Sequence, residues 1–484
     1  MRKVTSLFAT IALTAAACVP KVEEPASDAP EAAIFPDYKE VTVPPNIAPL
    51  NFSFEDIDTK GVAVLENSGE RLTIRSRKGE FHIPENDWRR LTAAGPETKV
   101  TLAEYSGRKL VTLKPFHIHV SKDTIDPYVA YRLIAPGYET WNKMGLYQRC
   151  LENFSQTPIM TNDKTDRNCM NCHSFNTRDP GTMMFHMRAQ NGGTYVWKNG
   201  EIEKLNTKTP QTISALVYPY WHPSGDYIAF SVNDIAQVFH STDPNRIEVY
   251  DYKSDVVVYD VNNKQVSTSP MLTDTTRMET FPSFSPDGKT LYFCSSPLPE
   301  MPQGYKDVRY SICSIPFDPG SFSFGDKVDT VYNAVRSGKD ATFPRVSPDG
   351  RFLLFSETAY GCFAIWHKDS QLRMIDLEDG TFRDLDGING PDADSYHSWS
   401  GNSRWIIWAS RRIDGLYSRL FIAHIDKDGN TSKPFLLPQE SVRHDKDLMR
   451  SYNVPEFISG PVLFDQDKMA DVAKNDHGIN VTFK

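Results

Sequence analysis

The sequence predicts an all-β protein: a β-propeller of about six blades, range five to seven, preceded by a small β-sandwich-like domain. Phe281-Pro282-Ser283-Phe284-Ser285-Pro286-Asp287-Gly288-Lys289 and Phe343-Pro344-Arg345-Val346-Ser347-Pro348-Asp349-Gly350-Arg351 are near copies. Each precedes an apolar run, Leu291 to Phe293 or Leu353 to Phe355. Looser versions at Tyr218 to Asp226 and Tyr396 to Asn402 make the unit recur at about 45 to 65 residues, the period of blades with loop insertions. Finally, Asn199-Gly200, Asp379-Gly380 and Asp428-Gly429 follow further β-prone runs. Such turn residues at fixed offsets are the signal of outer-strand hairpins.

In chain order, Arg2-Lys3, the apolar stretch Leu7 to Ala17 and the junction Ala15-Ala16-Ala17-Cys18 read as a signal peptide over residues 1–17. The apolar stretch is too short to span a bilayer. With Cys directly after the small residues, this resembles a bacterial lipoprotein signal. The resemblance implies lipidation of Cys18 and a membrane anchor in the cell envelope, in the periplasm or at the outer membrane. An ordinary cleaved signal with a spare thiol is the alternative. Residues 18–36 are rich in Glu, Asp, Pro and Ala and read as a flexible acidic tether. Glu23 and Glu24 resemble sorting signals that send some Bacteroidetes lipoproteins to the cell surface.

Residues 37–160 alternate short β-prone runs with turns, which predicts the amino-terminal β domain. In Phe116-His117-Ile118-His119-Val120 the alternation places the two His on one face, as in a half-exposed strand. A short helix is expected over Tyr138 to Phe154, where Trp141, Met144, Tyr147 and Leu151 recur at three-to-four spacing. The propeller is expected over residues 161–484.

One motif carries chemistry. Cys169-Met170-Asn171-Cys172-His173 has the spacing of c-type haem attachment: two thiols become thioethers, and the adjacent imidazole becomes an iron ligand. The expected cofactor is therefore one covalent haem c held by Cys169 and Cys172, with His173 as the metal ligand. Two alternatives stand beside it: a Cys169–Cys172 disulfide, and a zinc site from Cys150, Cys169, Cys172 and His173. The context differs from a cytochrome c domain, because the motif runs into Phe175, a turn at Asp179-Pro180-Gly181 and a β-type segment.

The pattern Phe-Pro-x-Phe-Ser-Pro-Asp-Gly resembles the propeller repeats of the TolB family over about residues 170 to 435. The resemblance implies architecture rather than activity. Laid on the repeat, Cys172-His173-Ser174-Phe175 takes the slot of Phe281-Pro282-Ser283-Phe284, so His173 aligns with Pro219, Pro282, Pro344 and His397. In the resemblance those positions lie near the mouth of the central channel, which would put a haem at one propeller face, against the amino-terminal domain. A hairpin pairing Phe175 with Phe185 would set Met187 opposite His173, too close for the second axial ligand. His117, His119, His222 and His397 are then the candidates for that ligand, with Met144 behind them.

These residues predict an exported, lipid-anchored protein for electron transfer or redox sensing, docking an envelope protein or redox partner on the propeller face. The alternative is a TolB-like scaffold without haem that binds protein or glycan. A net charge of -9 without a basic stripe argues against nucleic acid. No Gly-x-Ser-x-Gly elbow occurs, so no hydrolase catalytic residue is assigned. His222 with His397 could mimic the metal-binding His that propeller lyases use near the channel.

Overall fold

The computed structural model describes residues 22–135 and 143–484. Six four-stranded antiparallel units form the propeller, and the inner strand of each touches the next, the last closing on the first. Blade 1 runs from Met170 to Asn206, blade 2 from Val217 to Ser267, and blade 3 from Arg277 to Tyr332. Blade 4 spans Asp340 to Arg383 and blade 5 Asp394 to Leu436. In four of the inner hairpins a Ser or His caps the turn. Ser285 and Ser347, for instance, bond Asp287 and Asp349 two residues on, which closes the Pro-Asp-Gly turns seen in the sequence.

Blade 6 is assembled from both ends of the chain. Its inner strand is Ser451–Ile458, and its outer three are Tyr128–Ile134, Gly145–Cys150 and Gln156–Thr161. This corrects the expected boundary at residue 160, since the last three strands before Cys169 belong to the propeller. It also corrects the expected helix. Gly145–Cys150 is a strand hydrogen-bonded on both sides, and a Cβ on Gly145 would come within 2.8 Å of the Met160 carbonyl. The three-to-four spacing was met by residues that sheet pairing claimed. Trp141 lies outside the described residues.

The amino-terminal domain sets a sheet of Val41–Val43, Gly61–Asn67, Glu70–Ser76, Glu97–Ser106, Lys109–Thr112 and Phe116–Val120 beside a three-stranded sheet and the helix Glu85–Ala94. Trp88 on that helix donates its indole N–H to the Ile47 carbonyl and is buried. Its core continues into that of blades 4 and 5, where Phe352, Trp405 and Trp408 are buried. The tether ends earlier than expected: Ala32 is buried and Ile34–Phe35 pairs with Ser53 and Phe54. The signal peptide and Cys18 lie outside the described residues.

After blade 6, the helix Gln466–Asn475 is capped by Asp465, whose carboxylate accepts from the Asp467 and Lys468 N–H groups. The chain then lays Ile479–Asn480 along the outer edge of blade 1 and Thr482–Phe483 along that of blade 2. Two exposed sheet edges, which would otherwise offer unpaired N–H and C=O groups, are thereby covered.

Candidate functional site at the channel mouth

The inner strand of every blade carries the same β-bulge, in which two residues oppose one on the neighbouring strand. The bulged pairs are Cys172-His173, Tyr218-Pro219, Phe281-Pro282, Phe343-Pro344, Tyr396-His397 and Val454-Pro455. The first residue of each has a positive φ, between 49° and 56°. For a residue with a Cβ this conformation costs on the order of 1–3 kcal/mol, so packing must hold it. That packing is visible. Ring centroids lie 4.7 Å apart for Tyr218 and Phe281, 4.2 Å for Phe281 and Phe343, and 4.8 Å for Phe343 and Tyr396. Four aromatic side chains thus meet across the channel, and Cys172 and Val454 hold the same position in the other two blades.

The second residue of the pair is Pro in four blades, so the sheet asks no N–H of this position. In blades 1 and 5 it is His. The alignment of His173 with Pro219, Pro282, Pro344 and His397 read from the sequence is therefore the alignment in space. The expected hairpin register is corrected. A tighter turn pairs Phe175 with Met183, and the bulge pairs Asn171 with His186, so Cys172-His173 faces Phe185 rather than Met187.

At the C-terminal ends of the inner strands the channel opens into a cavity of about 280 Å³. His173, His397, Arg345, Glu456, Phe343 and Tyr396 line it, among others. His173 is buried, and neither ring nitrogen makes a well-formed hydrogen bond, with the Val454 backbone beside the ring. Burial, aided by the Arg132 charge, lowers its pKa to about 3, leaving a neutral imidazole with a free lone pair. Burial likewise lowers His397 to about 3, and its Nε2 lies 3.0 Å from the Leu354 carbonyl. Glu456 accepts from the Phe175 N–H at 2.9 Å, and burial pushes its carboxyl up to about 8. Arg345 lies over the Tyr220 ring at 4.8 Å from its centroid.

The two thiols of the motif are free. Cys169 is buried just before the inner strand, its carbonyl accepting from the Arg188 N–H, and Cys172 is partly exposed. Burial raises the Cys172 thiol pKa. The cavity is lined by His173 but by neither thiol. The Cys₃His zinc alternative is not assembled: Cys150 ends its blade 6 strand opposite Tyr128, and no group of three metal-ligating side chains is gathered among the described residues. The donor set does fit a c-type haem, since two unpaired thiols adjoin a neutral imidazole whose nitrogens nothing else uses.

Of the four candidates for the second axial ligand, only His397 shares the cavity with His173. His222 has both nitrogens engaged, by Ser224 Oγ and the Gly288 carbonyl. His117 and His119 lie on the amino-terminal sheet between Glu40 and Glu97. The Met144 sulfur accepts from the Met170 N–H. Arg345 and Glu456 were not singled out from the sequence. A usable signal existed, because each stands directly after the Pro of a bulge, in Phe343-Pro344-Arg345 and Val454-Pro455-Glu456.

The fold and site define a six-bladed β-propeller with an amino-terminal β domain and a polar cavity at one channel mouth. No protein-family model and no curated protein matches the chain. Among solved structures it is similar to an oligogalacturonate lyase in complex with manganese, at 10% identity and a TM-score of 0.35, over 64% of this chain and 73% of the other. It is also similar to a periplasmic gluconolactonase of Pseudomonas aeruginosa, at 14% identity and a TM-score of 0.33, over 79% of this chain and 96% of that one.

Proposed function

We propose that this protein is an exported, lipid-anchored β-propeller carrying one covalent c-type haem, acting in electron transfer or redox sensing through an envelope partner docked on the propeller face. The observation that carries the reading is His173: a buried, neutral imidazole with both nitrogens unpartnered, next to two free thiols at the attachment spacing. Leaving such atoms unpaired costs about 1–3 kcal/mol each, a cost that a metal bond to one of them would offset in part. Cys169 and Cys172 would hold the haem, and His173 would ligate its iron. The haem would supply one-electron chemistry. The chain contributes the rest: blade 1 fixes the imidazole in place by its bulge, and burial keeps it unprotonated over the whole physiological range. The TolB-like repeats and the lipoprotein-like junction at Cys18 support the envelope setting.

The test is the full chain matured in a host that attaches c-type haem. Denatured protein is expected to keep its haem through electrophoresis and to show the mass of one added haem. Cys172→Ala should weaken or abolish that retention, and Cys18→Ser should free the protein from membranes while leaving the haem in place. Haem-free protein from such a host would refute the reading.

A further inference from the structure

The channel-mouth cavity holds polar groups that haem attachment does not use. The residue after each bulged pair is Ser174, Tyr220, Ser283, Arg345, Ser398 or Glu456, and all but Ser283 line the cavity as a polar ring. Arg345 is the cation of that ring. Among the described residues only its Nη1 is engaged, by the neighbouring Pro344 carbonyl, while the guanidinium is held flat over Tyr220. Arg178, the other lining cation, lies 3.6 Å from the Asp126 carboxylate and is thereby balanced.

His397 is only 4% exposed and contributes an acceptor. Its Nε2 faces a carbonyl oxygen at 3.0 Å and must carry the proton, so in the neutral ring Nδ1 is a bare lone pair. That Nδ1 makes no well-formed hydrogen bond, although the Phe343 backbone lies beside the ring, and the Ser398 hydroxyl has no partner either. The floor is apolar, from Phe343 and Tyr396. The cavity volume of about 280 Å³ is that of a small-molecule site. A cationic fork, a buried acceptor and an apolar floor ask for an anion, a hydroxyl and an apolar body on one small molecule.

We propose that the cavity is a binding site for a small hydroxycarboxylate, its carboxylate on the Arg345 guanidinium, its hydroxyl donating to His397 Nδ1 and its apolar body on Phe343 and Tyr396. Glu456 supports this: with its carboxyl raised to about 8, it adds little negative charge to the cavity at neutral pH. The inference goes beyond the haem reading. Absence of retained haem would leave it standing.

Mandelate is a suitable probe, with phenylacetate as its counterpart lacking the hydroxyl, titrated calorimetrically into the full chain with and without attached haem. One mandelate per chain is expected to bind, and phenylacetate roughly tenfold more weakly, the value of about one hydrogen bond. Arg345→Gln should abolish binding, and Arg345→Lys, which keeps the charge without the fork, should weaken it. His397→Phe keeps a ring in the bulge and should reduce mandelate to the affinity of phenylacetate. Circular dichroism and thermal unfolding separate these effects from misfolding. Equal binding of the two acids, or undiminished binding to folded Arg345→Gln, would overturn the proposal. So would binding confined to haem-free chain, because Arg345 would then belong to a carboxylate of the haem itself.

Discussion

The inner strands of blades 1 and 3 have the same bulge and nearly the same backbone, with φ of 53° at Cys172 and 49° at Phe281, yet they do opposite things. In blade 3 the strained residue is an aromatic that packs on Tyr218 and Phe343, and the next is a proline that needs no partner. In blade 1 the same two slots hold a partly exposed thiol and an imidazole with two idle nitrogens. Blade 3 spends its strain on closing the channel. Blade 1 gives up that packing and presents a thiol and an imidazole on a rigid strand. A site can thus be set into a repeat by changing side chains on a backbone that five other blades hold in shape.

The largest effect should come from erasing the difference. Cys172→Phe with His173→Pro writes the blade 3 pair into blade 1. The variant is expected to fold, with no loss of thermal stability relative to haem-free wild type, and to retain no covalent haem on a denaturing gel. Retained haem would show that blade 1 is not the attachment site, and failure to fold would show that the two slots are not interchangeable.

A smaller effect separates the packing of blade 3 from that of blade 1. Phe281 is 1% exposed, and Phe281→Ala should cost about 3–5 kcal/mol in denaturant unfolding, as for other buried Phe truncations. Cys172→Ala in haem-free protein removes one sulfur from a partly open position and should cost about 1 kcal/mol or less. Equal losses would mean that Cys172 is as much a part of the channel packing as Phe281.

The smallest effect concerns the polar ring. Burial raises the Glu456 carboxyl from its ordinary 4.5 to about 8, so the folded state holds this proton more tightly than the unfolded chain. Its contribution to stability is present in full below about 4.5 and is lost as pH rises through about 8. The thermal midpoint should therefore fall between pH 6 and pH 9, and Glu456→Gln should flatten that slope. Glu279, also raised to about 8 by burial, contributes in the same direction and should leave part of the slope in place. An unchanged slope in Glu456→Gln would show that Glu456 ionises freely in the cavity.

Much of this protein was legible without coordinates because its strongest signals are local. Pro-Asp-Gly and Asn-Gly turns act through the φ preferences of one or two residues, and their repetition alone marked the blades. The motif from Cys169 to His173 spans five residues, and its alignment with Phe281-Pro282 followed from the same repeat. The strands of blade 6 were a different matter. Ala130 pairs with Glu456, far along the chain, and no local preference announces such a partner. The helical spacing around Met144 and Tyr147 even pointed elsewhere, until sheet hydrogen bonds on both sides claimed Gly145–Cys150. Nor does a sequence show a bulge, since the two-against-one pairing exists only between strands, and here it decided which residue faces His173. The sequence by itself determined the repeat, the turns and the spacing of thiols and imidazole. Closure of the ring decided that Arg345, His397 and Glu456, from three different blades, meet His173 around one cavity, because burial and mutual approach arise only when distant strands pack.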